Sequence, residues 1–133
     1  MKFYEETIKV RGYELDSLGH VNQAQYLLYA ESVRWNHFLS VGITLDKLYK
    51  EWNMGPVVLA QNIQYFKELT LGDEVRITSQ LTQFEGKRGT ISQDFFKGDI
   101  KAAHLEMNFT FLDFKTRRSC EPHPELLKMI QGN

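Results

Sequence analysis

Residues 22–40 read Asn-Gln-Ala-Gln-Tyr-Leu-Leu-Tyr-Ala-Glu-Ser-Val-Arg-Trp-Asn-His-Phe-Leu-Ser, which has the marks of one long helix. Asn22 suits the N-cap position, and Gln25 follows three residues later, as in a capping box. Gly42 suits the position just beyond the helix end. Because apolar residues point in most directions around the axis, we expect this helix to be buried on most sides. The alternative is an amphipathic helix with a wide apolar stripe.

The segments around this helix are mostly strand-like. An alternating strand precedes it, a short second helix follows it, then come four strands separated by short turns, and a last helix closes the chain. In that order the segments are residues 4–10, 44–51, 57–66, 75–84, 90–96, 103–111 and 122–130. Short turns make neighbouring strands antiparallel. The sequence therefore predicts an α+β fold in which an antiparallel sheet wraps around one long central helix. We also expect a second subunit to protect the sheet edge.

Composition narrows the class of protein. The 133 residues fit one domain spanning 1–133. A formal net charge of −1 provides no basic field for nucleic acid, so we expect no nucleic-acid partner. No stretch is long and apolar enough to span a membrane, and Cys120 has no second cysteine to pair with, so a reducing cytoplasm is the expected location. The four histidines show no metal-ligand spacing, and we predict no metal.

The segment Asp16-Ser-Leu-Gly-His-Val-Asn22 leads directly into the predicted helix start. If Asn22 caps the amide of Ala24 or Gln25, the amide of Gln23 stays free and can stabilise an oxyanion. A carboxylate at Asp16 can then attack a carbonyl carbon or activate a water molecule. An aspartate before a helix also commonly complements the helix dipole or caps a turn, and the residue types alone favour that role.

Residues 11–26, Arg-Gly-Tyr-Glu-Leu-Asp-Ser-Leu-Gly-His-Val-Asn-Gln-Ala-Gln-Tyr, resemble the first signature of the 4-hydroxybenzoyl-CoA thioesterase family. Residues 29–34, Tyr-Ala-Glu-Ser-Val-Arg, are similar to its helix motif, and residues 65–73, Tyr-Phe-Lys-Glu-Leu-Thr-Leu-Gly-Asp, to its second signature. The resemblance implies a hotdog fold and hydrolysis of acyl-CoA thioesters, without a cofactor, by homodimers or homotetramers with sites at subunit interfaces. It implies that Asp16 is the catalytic nucleophile or general base and that the Gln23 amide holds the thioester oxygen. The family often has a polar residue in place of Leu15 and a second Asn in place of Gln23.

Further residues are candidates for binding the substrate, each with a plain structural alternative. Gly19 would let the loop bend or a ligand approach, His20 would support the loop or contact substrate, and Asn22 would border the site. Tyr26, like Tyr13, would line the acyl pocket or simply pack. The basic pair Lys87 and Arg88 would bind the phosphates of CoA or lie in a solvated turn, as would Arg117 and Arg118.

Three more polar residues are candidates for catalysis or for the partner subunit's site. Glu31 is a reserve catalytic carboxylate, although a buried ion pair with Arg34 is the favoured interpretation. Asn62 and Gln64 would reach a partner subunit's site or form a polar outward face, and the polar face is favoured.

The sequence alone leaves three other functions open. The first is a thioesterase whose acyl group arrives on acyl carrier protein, for which a broad basic docking patch would be expected. A hydratase of the same fold would carry a different Asp and His pattern. A non-catalytic acyl-CoA-binding module would gain little from a carboxylate at Asp16 beside an anionic ligand.

Overall fold

A computed structural model describes residues 1–132; Asn133, the last residue of the predicted domain, lies outside the described residues. Residues 1–132 contain six β-strands, two α-helices, a short 3-10 turn and a π-helical turn. In chain order they are β1 (Tyr4–Lys9), the 3-10 turn (Gly12–Glu14), α1 (Gln23–Ser40), the π-helical turn (Lys47–Trp52), β2 (Met54–Tyr65), β3 (Glu74–Glu85), β4 (Arg88–Lys97), β5 (Ile100–Asp113), β6 (Ser119–Cys120) and α2 (Pro124–Gln131).

All strands belong to one antiparallel sheet with the order β1-β3-β4-β5-β2, and the short β6 pairs with β5. The consecutive strands β3, β4 and β5 are joined by tight turns, which explains their antiparallel pairing. β2 is longer than the predicted strand because Gly55 and Pro56, which suggest a break, lie in an edge strand where proline is tolerated. The predicted α+β architecture is confirmed.

Helix α1 packs on β1 and β3 and is buried along one face only. The buried positions recur every three or four residues: Tyr26, Tyr29, Ala30, Val33, Arg34, His37 and Phe38. On the opposite face, Leu28 and Leu39 are exposed. The expectation of burial on most sides is therefore wrong for the single chain, because its sheet covers one side of the helix and leaves the other open.

The core has two adjoining parts beneath α1. One lies under the first half of the helix and includes Tyr26, Val33, Leu69, Ile77, Phe95 and Leu105. The other includes Phe38, Ile91, Phe109, Phe111, Leu126 and Ile130, so that α2 closes the far end of the sheet. No helix in residues 1–132 is long and apolar enough to cross a membrane.

Candidate active site

The loop between β1 and α1 is supported by the turn between β2 and β3. The Val21 amide donates to the Leu69 carbonyl at 2.8 Å, and His20 forms an isolated β-bridge with Thr70. The Asp73 carboxylate accepts from the Thr70 amide at 2.8 Å and from Lys97 Nζ at 3.0 Å, which holds that turn together. The second sequence signature thus forms the support on which the first one rests.

Among the described residues, Asp16 has one hydrogen-bonded and one free carboxylate oxygen. Its Oδ1 accepts hydrogen bonds from the backbone amides of Leu18 at 2.9 Å and His20 at 3.1 Å. Gly19 allows the loop to turn back in this way because its φ is +80°, a conformation that other residues rarely adopt. Oδ2 has no hydrogen-bond partner among residues 1–132. One oxygen therefore fixes the orientation of the carboxyl group and the other can act on a ligand.

The first turn of α1 has one backbone amide, that of Gln23, whose hydrogen bond is not satisfied by the described residues. Asn22 Oδ1 accepts from the Ala24 amide at 2.9 Å, and the Asn22 carbonyl accepts from the Gln25 amide at 2.9 Å. Within the described part of the chain, the Gln23 N–H has no acceptor, as the sequence predicted. The predicted capping box is not formed, because the Gln25 side chain makes no hydrogen bond to Asn22 within residues 1–132.

A surface cavity of about 320 Å³ brings these groups together. It is lined by the predicted residues Asp16, His20, Gln23 and Tyr26, by Val21, and by Tyr65, Phe66, Lys67 and Glu68 at the end of β2. Gly19 and Asn22 lie in the loop and cap beside it. The last four lining residues were not predicted as site residues, although they open the second sequence signature. The Tyr65 hydroxyl donates to the Gln23 carbonyl at 3.1 Å, which ties β2 to the first turn of α1.

Tyr26 forms the apolar floor of this cavity. Its ring lies edge-on to Tyr65, with 4.9 Å between centroids, and to Phe95, at 5.5 Å. Burial, with the nearby Tyr65 hydroxyl, raises the pKa of Tyr26 to about 12. The phenol therefore stays neutral at physiological pH and adds no charge next to Asp16.

Lys87 and Arg88 lie at the opposite end of the sheet from this cavity. Arg88 pairs with Thr110 on β5, whereas Tyr65 pairs with Ala103. Seven residues of strand separate the two rows, a distance of about 23 Å. One chain alone does not bring the basic pair to Asp16, and their role in phosphate binding stays a prediction.

Asn62 and Gln64 lie on the outer face of the sheet. They pair with Glu106 and His104, whereas the side chains that alternate with these on β5 are buried in the core. Cross-strand partners share one face, so both residues point away from α1. The favoured interpretation, a polar outward face, fits this position.

Glu31 and Arg34 do not form the expected buried ion pair. Glu31 is exposed, and the salt bridges within residues 1–132 do not include the two side chains. Arg34 is buried instead, and its Nη1 donates to Gln93 Oε1 at 2.9 Å. The prediction failed because the helix leaves Glu31 on its open face. Glu31 also lies outside the Asp16 cavity.

Cys120 lies on β6, and burial raises the pKa of its thiol, which makes it a weak nucleophile at neutral pH.

No cluster of three or more potential metal-ligating side chains occurs within residues 1–132.

The chain is similar to known thioesterases in sequence and structure. Residues 10–130 match the sequence profile of the thioesterase-like superfamily. The long-chain acyl-CoA thioesterase FadM of Escherichia coli (strain K12) is 36% identical over 131 residues, covering 93% of this chain and 94% of FadM. A chloroplastic acyl-acyl carrier protein thioesterase of Arabidopsis thaliana is 27% identical over 96 residues, covering 72% of this chain and 50% of that protein.

A solved structure shows the same fold. The crystal structure of YbaW, a probable thioesterase from Escherichia coli, superposes with a TM-score of 0.82 at 33% identity and covers 96% of both chains.

Proposed function

The chain belongs to the thioesterase-like superfamily and is an acyl-CoA thioesterase of the hotdog fold, and from this premise we propose that Asp16 and the backbone amide of Gln23 carry out the hydrolysis. One observation carries the proposal. Within residues 1–132, Oδ2 of Asp16 and the N–H of Gln23 are free, and both belong to residues that line the same cavity. A thioester carbonyl placed between them would meet a base or nucleophile on one side and an oxyanion donor on the other.

The reaction needs only water as second substrate. The Gln23 N–H, at the positive end of α1, donates to the thioester oxygen and stabilises the negative charge that develops there. Asp16 either removes a proton from an attacking water molecule or attacks the carbonyl carbon and forms an anhydride that water then cleaves. In both routes the C–S bond breaks, and the products are a carboxylic acid and the thiol of CoA.

We extend to this chain the long-chain acyl preference that the name of FadM states for that enzyme. The aromatic rings of Tyr26, Tyr65 and Phe66 give the cavity an apolar wall that suits such a chain.

The cytoplasm is the proposed location, since the lone Cys120 fits a reducing compartment.

A homodimer formed through β2 completes the proposal. β2 is an edge strand of 12 residues whose exposed side chains include Val57, Val58, Leu59 and Tyr65. A long apolar edge with unpaired backbone groups is a template for another strand. The other edge, β1, has only 6 residues and carries Glu5, Glu6 and Lys9, which disfavour pairing. Two copies of β2 would therefore pair antiparallel about a twofold axis near Leu59.

This pairing would bring the predicted phosphate ligands to the active site. The start of each β2 would lie beside the end of the other, so the row that joins Val57, Thr110 and Arg88 would lie opposite the partner's Gln61, four residues along β2 from the partner's Tyr65. The partner subunit's Lys87 and the partner subunit's Arg88 would then approach the Asp16 cavity from the side. Each site would combine Asp16 from one chain with phosphate ligands from the other.

The first test is release of free thiol from short, long and aromatic acyl-CoAs by the wild type and by Asp16→Asn. We expect the substitution to lower kcat by about 100-fold or more, because the amide can neither attack nor accept a proton. Asp99→Asn is the matched control, since Asp99 lies exposed in the turn before β5. Full activity of Asp16→Asn would contradict the assignment. Hydrolysis of acyl carrier protein substrates alone would overturn CoA as the donor.

A further inference from the structure

Glu14 is a buried carboxylate at the start of residues 14–22, the loop that carries Asp16 and is called the catalytic loop below. Four donors are directed at this carboxylate. Its side chain is 1% exposed. Oε1 accepts from the Tyr29 hydroxyl at 2.7 Å and from the Arg11 amide at 2.8 Å. Oε2 accepts from Arg11 Nη2 at 2.7 Å and from Nε at 3.2 Å. These hydrogen bonds join Glu14, at the start of the loop, to Arg11 before it and to Tyr29 in α1.

The protonation states of Glu14 and Tyr29 favour a stable hydrogen bond between them. Burial opposes ionisation of Glu14, but the hydrogen bonds from Arg11 and Tyr29 outweigh it and hold the pKa of Glu14 below its ordinary value. Burial and the bond to Glu14 raise the pKa of Tyr29, so its hydroxyl keeps its proton and donates. Glu14 is therefore ionised and Tyr29 neutral at physiological pH, and their hydrogen bond is charge-assisted.

The backbone of Glu14 closes the catalytic loop. Its carbonyl accepts from the Asn22 amide at 2.9 Å, and the next residue, Leu15, forms a β-bridge with Val21. Inside this closure, the Asp16 amide donates to the His20 carbonyl at 2.7 Å. Asp16 thus lies two residues after Glu14, inside the closed loop, and Gln23 directly follows Asn22, so the bond between Glu14 and Asn22 holds both groups of the proposed mechanism near each other.

We propose that Glu14 is a positioning residue, whose carboxylate, bound by Tyr29 and Arg11, fixes the catalytic loop on α1 and sets Asp16 relative to the Gln23 amide. This inference rests on the proposed function. The reason is geometric, since a displacement of about 1 Å in a reacting group lowers a rate by about 100-fold. The core around Tyr29 is largely apolar. If the Tyr29 hydroxyl is removed, the Glu14 carboxylate therefore has no equivalent donor on α1 to replace it.

The test compares Tyr29→Phe and Glu14→Gln with the wild type. Tyr29→Phe keeps the packed ring and removes only the donor, and Glu14→Gln keeps the shape and removes the charge. We expect kcat for acyl-CoA to fall about 10- to 100-fold, with KM within about twofold, because the loop positions groups that act in the transition state. The double variant should lose little more than either single variant, since both remove the same link.

A second tyrosine–glutamate pair provides the matched control. The Tyr4 hydroxyl donates to Glu6 Oε1 at 3.2 Å, and this carboxylate also accepts from Asn36 Nδ2 at 2.8 Å, away from the cavity. Tyr4→Phe should therefore leave kcat unchanged even if it lowers the free energy of unfolding. If Tyr29→Phe is folded and retains the wild-type kcat, the inference is wrong. An equal loss of kcat in Tyr4→Phe would also overturn it, since the effect would then be one of stability.

The amide resonances of Leu18 and His20 separate this inference from the proposed mechanism. Both amides donate to Asp16 Oδ1 and report the loop conformation in the absence of substrate. They should shift in Tyr29→Phe and not in Tyr4→Phe. If they shift while Asp16→Asn keeps full activity, the loop is held by Glu14 and the proposed mechanism alone has failed. Unshifted resonances together with an unchanged kcat contradict the inference itself.

Discussion

His37 shows what a single residue contributes to the stability of this fold. It lies on the buried face of α1, is 1% exposed, and has its Nδ1 2.9 Å from Ser79 Oγ. Its ring stacks on Tyr4, with 5.3 Å between centroids, and Nε2 has no partner within residues 1–132. Burial, with a smaller effect of the Met1 ammonium, lowers the pKa of His37 to about 4. The folded protein therefore holds this ring in its neutral form.

A pH dependence of stability follows from that pKa. In the unfolded chain, His37 is protonated below pH 6.5, the ordinary pKa of histidine. In the folded chain, it is protonated only below about pH 4. The free energy of unfolding should fall across this window by up to about 3 kcal/mol and then level off with respect to His37. Urea unfolding between pH 7.5 and 4.5 measures it. His37→Gln should flatten the dependence and exposed His123→Gln should not; equal slopes in all three proteins would refute the prediction.

At the scale of the element, the first turn of α1 combines a structural cap with a proposed catalytic group. Asn22 satisfies the Ala24 amide, and the Gln23 amide has no acceptor in the part of the chain that the structure describes. Proline is well tolerated at the first helical position because the N–H it lacks has no partner in the helix. The backbone of Asn22, with φ −59° and ψ 139°, already has the extended conformation that a following proline requires.

Gln23→Pro should therefore remove the oxyanion donor without disturbing the helix. We expect kcat to fall by about 100- to 1,000-fold with little change in the denaturant midpoint. Gln23→Ala keeps the amide and is the control that should retain most activity. Thiol release and urea unfolding measured on both variants check this. Comparable activity of the proline and alanine variants would show that the Gln23 amide takes no part in catalysis.

At the scale of the whole molecule, one chain exposes apolar surface that a second copy would cover. The open edge is β2, and the open face of α1 carries Leu28 and Leu39. The proposed dimer covers the edge by continuing the sheet. In that proposed dimer, the Lys87–Arg88 turn of one copy would lie toward the Asp16 cavity of the other.

Leu59→Lys tests the dimer. Leu59 lies at the middle of β2 and is 47% exposed, so the substitution would place two like charges near the twofold axis. Light scattering should show twice the mass of the chain for the wild type and a shift to monomer for the variant, with loss of thioesterase activity. Leu45→Lys, at a position that is 52% exposed and outside the sheet, is the control. A wild-type monomer with full activity would refute the interface.

Local signals in the sequence determined the order of the helices and strands. They also identified the cavity residues that come from the loop and the first turn of α1. The start of α1, the alternation of the strands and the Asp16–Asn22 loop depend on neighbours a few residues apart, which a sequence displays directly. The resemblance to a thioesterase family also came from contiguous motifs, and the family is confirmed.

Only the tertiary structure decided which distant residues meet. Tyr65 reaches Gln23, and Glu14 reaches Tyr29, because strand register and the one-sided packing of α1 bring them together. For the same reason Glu31 is exposed and Arg34 is bound to Gln93 rather than to a carboxylate. A helical pattern shows which side chains share a face but not which face the sheet covers, because that choice depends on contacts made across the whole chain.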